Sequence, residues 1–202
     1  MILENHLAKI EVKVKDIKDI DITKLSKDSI ILDPNNYLDE NYPFKDILNI
    51  VIISINLKEK NRKYSMYVYS GIYTYYDNIA ILEDNILTIL RDDVISQFDI
   101  ITENLILNKE LETEASNFGI FKISTGYIIH NELDIYMLDF DFNIKWSFGG
   151  EDIFVSITNK KAFELAEDRI KLYDFNDRYY EIDFTGKLLR KSVEKYLHTP
   201  LF

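Results

Sequence analysis

No cysteine occurs among the 202 residues. Its absence removes disulfides, thiolate metal sites and cysteine nucleophiles together, and it accords with a reducing compartment. Glycine (6) and proline (3) are scarce. They build no glycine-rich phosphate loop, dinucleotide fingerprint or nucleophile elbow, and Gly149-Gly150 is the only glycine pair. Turns must instead rest on Asp and Asn, which tolerate left-handed backbone and bond their own main chain. His6, His130 and His198 are too scattered for a His-x-x-x-His zinc pattern. The longest strongly apolar run, Ile50-Val-Ile-Ile-Ser-Ile55, is far too short to cross a bilayer. Met1-Ile-Leu-Glu-Asn-His-Leu7 lacks the basic start and apolar stretch of a secretory signal. The expectation is a soluble, cytoplasmic chain with no membrane association, no metal and no cofactor.

Basic residues are scarce in one stretch only. Residues 1–75 carry 11 basic and 11 acidic side chains, and residues 161–202 carry 8 of each. Residues 76–160 carry 5 against 16, so this middle segment holds the whole net charge of −11. Such a field repels nucleic acid and anionic membrane and attracts a basic partner. It also serves as a solvated surface that keeps a protein in solution.

What is abundant favours strands. Ile (31), Tyr (14) and Phe (12) dominate the hydrophobic 47% and fit a pleated, half-buried surface. Leu7 to Lys15 alternates apolar and polar residues, and 47–57 and 64–76 read as two long strands around the charged turn 58–63. From Ile79 onward short strand-like runs alternate with turns at close intervals, the pattern of a sandwich, barrel or propeller-like stack. Ser192 to His198 reads as a short terminal helix. The spacing divides the chain into an N-terminal β-rich segment, 1–75, and repeated β-hairpin units over 76–202, within one continuous domain or two.

Tyr136–Phe148 is a strand, an Asp/Asn-rich turn and a second strand. Tyr180–Leu189 repeats it, with Leu138-Asp139 matched by Ile182-Asp183, 44 residues later. A fainter copy, Thr88–Phe98, aligns when Leu90 is set against Leu138. Self-similarity at roughly 40–50 residues marks propeller blades and stacked β-units. Leu138-Asp139 with Trp146, and Ile182-Asp183 with Gly186-Lys187-Leu188-Leu189, resemble the ends of quinoprotein-like (PQQ-type) β-propeller repeats over roughly residues 80–191. One copy carries the Trp, another carries the Gly-Lys, and nothing matches the family's cofactor residues. The resemblance implies stacked antiparallel β-units, as an open arc or a small propeller completed by the N-terminal strands. A β-sandwich is the alternative.

Candidate sites are few. Glu83, Asp84, Asp92 and Asp93 sit in turns and are the candidate contact carboxylates. Tyr67, Tyr69, Tyr73 and Tyr75 fall on one face of a strand, as a contact platform or as core. His130, Glu132 and Asp134 share a strand face and would form an acid–base group if they converged. Asp139-Phe-Asp141-Phe-Asn143 imitates a calcium loop but has Ile144 where that loop needs glycine, so it reads as a β-turn. The function expected is a non-enzymatic, intracellular protein-binding module, in one version a bacterial immunity-type protein that neutralises a basic toxin domain. The alternatives are a carboxylate-based hydrolase acting on a glycan and a structural scaffold.

Overall fold

Runs of Ile, Val, Tyr and Phe broken by Asp- and Asn-bearing turns make strands throughout the described residues. A computed structural model describes residues 1–21, 25, 29–33, 49–71, 78–156, 158 and 160–193. Among the described residues there are 17 strands, one 3-10 turn at Ile17–Asp19 and no α-helix, so the protein is mainly β. Ser192 and Val193 belong to the last strand, and the rest of the expected terminal helix lies outside the described residues. The chain divides into two compact units, Met1–Ile120 and Phe121–Phe202.

In the first unit β1 (Ile2–Glu4), β2 (Ala8–Asp16), β3 (Ile30–Leu32), β4 (Asn49–Leu57) and β5 (Arg62–Ser70) form a five-stranded sheet. Its order is β1-β2-β4-β5-β3, and only β3 runs parallel to its neighbour. Alternation in β2 puts Ala8, Ile10 and Val12 into the core, where they meet Val51, Ile53 and Ile55 of β4 and Met66 and Val68 of β5. A four-stranded meander follows: β6 (Ala80–Glu83), β7 (Ile86–Arg91), β8 (Val94–Asp99) and β9 (Asn104–Glu110). Leu87, Ile89 and Phe98 join the same core.

Two further meanders follow. The first is β10 (Asn117–Ile123), within which the unit boundary falls, β11 (Gly126–Asn131), β12 (Asp134–Leu138) and β13 (Ile144–Gly149). The second is β14 (Phe163–Leu165), β15 (Ile170–Tyr173), β16 (Arg178–Ile182) and β17 (Leu188–Val193). A core of Ile128, Ile135, Met137, Phe154, Ile170 and Leu172, among others, lies between these two sheets.

All three meanders end their third strand in the same way. The pairing shifts by one residue at Gln97/Phe98, Met137/Leu138 and Glu181/Ile182, and an aspartate follows at once. Asp99 accepts the N–H groups of Ile101 and Thr102, Asp139 those of Asp141 and Asn143, and Asp183 those of Thr185 and Lys187. Each turn closes through a residue with positive φ: Glu103 (59°), Phe142 (58°) and Gly186 (82°). Leu138-Asp139 and Ile182-Asp183 are therefore equivalent strand ends. The fainter copy is displaced from its expected register: its equivalent is Phe98-Asp99, 40 residues before Leu138-Asp139 (138 − 98), not Leu90. Leu90-Arg-Asp-Asp93 imitates the motif because another aspartate turn, between β7 and β8, follows it.

Trp146 joins the two sheets of the second unit. Its Nε1–H donates to the Phe184 carbonyl at 3.2 Å, and its ring lies against Gly186. A β-carbon at Gly186 would stand 2.8 Å from the ring, and φ there is +82°, so space and backbone both require glycine. The tryptophan is half-buried rather than fully enclosed. The Trp of one repeat and the Gly of the next are thus two halves of one contact.

The meanders differ in how many faces they bury. In β7 every residue from Leu87 to Arg91 is buried, and in β12 every residue from Ile135 to Leu138. Such near-continuous apolar runs suit a sheet covered on both sides. In the last meander the residues alternate: Ile170, Leu172, Tyr180 and Ile182 enter the core, while Lys171, Tyr173, Tyr179 and Glu181 do not. The outer face is an ion ladder, with Glu164 beside Lys171 (2.9 Å), Lys171 opposite Glu181, and Glu181 opposite Arg190. Arg169 bonds both Glu181 (3.0 Å) and Asp168 (2.8 Å). Tyr173 and Tyr179 pack at 5.0 Å, with Lys160 over one ring and Arg190 over the other.

The Trp146–Gly186 contact is testable by a double-mutant cycle. Trp146→Ala should cost about 3 kcal/mol, and Gly186→Ala about 2 kcal/mol through ring contact and backbone strain. The double mutant should lose less than the sum, as contacting residues do. Additive losses in denaturant titrations would show that the two residues do not share this contact.

Candidate functional site

The four candidate carboxylates do not meet. Glu83 and Asp84 occupy the β6–β7 turn and Asp92 and Asp93 the β7–β8 turn, at opposite ends of β7. Eight residues of extended chain separate them by about 25 Å. Asp92 does not face solvent: it is 4% exposed, and its carboxylate accepts the Ser70 hydroxyl (2.7 Å) and the Gly71 N–H (3.0 Å). Its carbonyl accepts the Asn117 side-chain amide at 2.8 Å. Asp92 has φ 52°, and with glycine scarce it supplies both the left-handed turn and the bracket holding the end of β5. It is a structural residue. Asp84, also left-handed (φ 47°), is exposed, and its carbonyl accepts the Asn5 side-chain amide.

A different acidic group does assemble. The Leu111 N–H bonds the Asp93 carbonyl at 2.7 Å, and Glu110 pairs in register with Val94. This brings Asp93, Glu110, Glu112 and Glu114 to one end of the β6–β9 sheet, with Leu111 buried between exposed glutamates. The Glu-Leu-Glu-Thr-Glu alternation was the signal for this extended connection, a pattern that a short helical turn also fits.

The tyrosines divide. Tyr69 is fully buried and packs with Ile50, Ile52, Ile17, Ile20 and Tyr67, so it is core rather than contact platform, and burial pushes its hydroxyl pKa up. Tyr73 and Tyr75 lie outside the described residues. Tyr67 is half-buried and lines a groove of about 620 Å³ on the five-stranded sheet. The sheet register sets the groove's rows. Lys9, Asn56 and Lys63 stand side by side, then Glu11, Ser54 and Ser65, then Lys13, Ile52 and Tyr67.

The acid–base group does not form. His130 is the penultimate residue of β11, whereas Asp134 opens β12, with the turn carrying Glu132 between them. The His130 ring stacks on Phe163 at 4.9 Å, and its Nε2 lies 3.0 Å from the Phe154 carbonyl. The carbonyl makes Nε2 the donor, and burial lowers the pKa to about 4. Asp134 instead accepts from the Tyr136 hydroxyl. A second polar cluster surrounds the buried Asp174, which accepts from Tyr180 (2.9 Å) and pairs with Arg178 (3.1 Å), itself paired with Glu151 (3.2 Å). Among the described residues Glu4, Asp99, Asp139, Glu151, Glu164, Asp168, Glu181 and Asp183 all have carboxyl pKa values lowered from the ordinary range. For Asp139 the cause is the Asn143 N–H, and for Asp183 the Thr185 hydroxyl. Among the described residues no group of three or more His, Asp or Glu is placed to hold a metal.

No family model matches the chain, and no curated protein shows significant similarity to it. Among solved structures it is similar to BamB from Moraxella catarrhalis, at 13% identity over 72% of this chain and 47% of that one, with a TM-score of 0.45. It is similar to hydrazine synthase of Kuenenia stuttgartiensis, at 12% identity over 82% of this chain and 48% of that one, TM-score 0.49. A third is the dihydro-heme d1 dehydrogenase NirN, at 9% identity over 72% and 35%, TM-score 0.42. These solved structures are β-propeller proteins. The chain spans half or less of the length of each. The likeness carries no activity to this chain.

Two stability measurements separate structural from surface groups. A histidine whose pKa falls from 6.5 to about 4 binds its proton less readily folded than unfolded. Stability is therefore full above pH ~6.5 and falls with acid, by up to about 1.4 kcal/mol per pH unit, until pH ~4. His130→Phe should flatten this slope whatever it does to absolute stability. Asp92→Ala should cost about 3 kcal/mol, because a buried hydroxyl and N–H lose their acceptor, whereas Glu112→Ala at an exposed position should cost less than about 0.5 kcal/mol. Equal losses at the two positions would refute the bracket role.

Proposed function

We propose that this chain is a non-enzymatic protein-binding module whose acidic face receives a basic partner. The observation that carries the reading is the convergence of Asp93, Glu110, Glu112 and Glu114 at one end of the β6–β9 sheet. These carboxylates come from two separate turns of a segment that holds the entire charge excess. Such a field accelerates encounter with a cationic surface and disfavours acidic competitors. The exposed ends of the cluster supply steering, and neighbouring apolar groups supply the burial that sets the off-rate.

The finer version is an intracellular, cytoplasmic immunity-type protein that neutralises a basic toxin domain. Its support is a −11 chain without cysteine, together with the acidic cluster. The sheets would serve as a rigid frame of quinoprotein-like outline without that family's cofactor. A glycan hydrolase working with two carboxylates would need one acid with a raised pKa near a second. The shifts that are resolved all run the other way.

The test is kinetic. A basic partner, once isolated and remade in pure form, should bind with an on-rate that falls about tenfold as salt rises from low to physiological strength. Asp93→Asn, Glu110→Gln, Glu112→Gln and Glu114→Gln together should slow association by a similar factor and leave the denaturant midpoint unchanged. A partner whose on-rate ignores both salt and these four changes would overturn the reading.

A further inference from the structure

The groove on the five-stranded sheet has a chemistry opposite to the acidic cluster. Alternation points Lys9, Glu11, Lys13 and Lys15 of β2 and Lys63 of β5 out of the core. Among the described residues of these strands four lysines stand against two glutamates, Glu11 and, on β1 in register with Lys9, Glu4, within a chain of net charge −11. Glu11 is already committed, to Lys13 at 2.9 Å.

Two lysines, Lys9 and Lys63, line the groove. Lys9 lies 3.8 Å from Glu4, but Glu4 is held more closely by Lys58 at 2.8 Å. The Lys58 contact is also the main reason that the Glu4 pKa is lowered. Lys63 makes no ion pair among the described residues, and both lysines are exposed. They flank Asn56 on adjacent strands, two strand spacings or about 10 Å apart.

The floor of the groove explains its shape. Ser54 and Ser65 are register partners on β4 and β5, and Ser29 also lines the site. These short hydroxyl side chains lie between a row of long lysines on one side and a row containing Tyr67 and Ile52 on the other. The result is a trough of about 620 Å³ that crosses the strands, floored by hydroxyls with the Lys13-paired Glu11 at one end of their row, two ammonium groups on one wall and an aromatic ring on the other. That volume is within the range of small-molecule sites.

We propose that this trough binds a short acidic oligosaccharide. The ammonium groups of Lys9 and Lys63 hold successive carboxylates. Ser54, Ser65 and the Asn56 amide bond sugar hydroxyls, and Tyr67 offers a surface to the C–H face of a ring. A peptide is the weaker fit, because a hydroxyl floor has no apolar socket for side chains and the trough does not follow a strand edge. The assignment is independent of the basic-partner reading, since it uses the other sheet and the opposite charge.

The experiment is titration of the full chain with trigalacturonate, followed by calorimetry and by backbone amide shifts. Saturable binding that moves the Ser54, Ser65 and Tyr67 amides is expected. Lys9→Met with Lys63→Met should weaken it about tenfold or more, as loss of charge-assisted bonds does, at an unchanged denaturant midpoint. Ser54→Val with Ser65→Val gives a second reading that leaves the lysines in place. Maltotriose, which has the hydroxyls without the charge, and pentaglutamate, which has the charge without the hydroxyls, should each bind at least about tenfold more weakly. The proposal is wrong if trigalacturonate does not bind at millimolar concentration, if pentaglutamate or maltotriose binds as well, or if the lysine pair has no effect.

Discussion

An aspartate carboxylate bonded to the N–H groups of its own turn sets the shape of every four-stranded sheet in this protein. In Asp99, Asp139 and Asp183 the side chain does locally what glycine does elsewhere. It stabilises a tight reversal after a bulge, so that the fourth strand leaves at the right angle. With six glycines in the chain, few other solutions exist. The same economy recurs at Asn61, Asp84, Asp92 and Asp177, all left-handed without glycine. Hydrogen bonds from the turns hold the pKa of Asp139 and Asp183 below the ordinary value of 3.8. Their contribution is present at neutral pH and is lost as the pH falls through the folded-state value.

Much of this was legible from the residues. Strand runs, turn positions and the equivalence of Leu138-Asp139 with Ile182-Asp183 all follow from period and composition. The first copy was misaligned because Leu90-Arg-Asp-Asp93 looks like a strand end with its aspartate, and it is one, but of the second strand. What distinguishes the third strand is a bulge, which leaves no mark in a single sequence. The signature is split, with Trp in one repeat and Gly in the next. The structure gives it a physical reason, since the indole packs on the following turn and each partner is needed once.

The site residues were less legible, because exposure depends on partners distant in sequence. Asp92 reads as a turn carboxylate, and only the approach of Ser70 and Gly71 turns it into a buried bracket. Tyr69 and Tyr67 are two residues apart on one strand face, yet Ile17 and Ile20 lie against one end of that face. Segregation of charge was visible in outline. The neutral sum over residues 1–75 concealed a sheet face where, among the described residues, lysines outnumber glutamates. Net charge per segment is a property of the chain, whereas a field at a surface is a property of the fold.

The last sheet buries one face and zips the other with alternating charges. An apolar sheet face gains free energy from any flat apolar surface laid on it, including that of a misfolded neighbour. The ladder of Glu164, Lys171, Glu181 and Arg190 removes that gain, because covering it would strip water from four ions already paired side by side. Lys187, Arg190 and Lys191, in and beside the edge strand β17, place like charges where another chain would add. In the language of crystal growth, the outer side of this sheet is a poisoned face, on which a flat apolar layer gains nothing by settling.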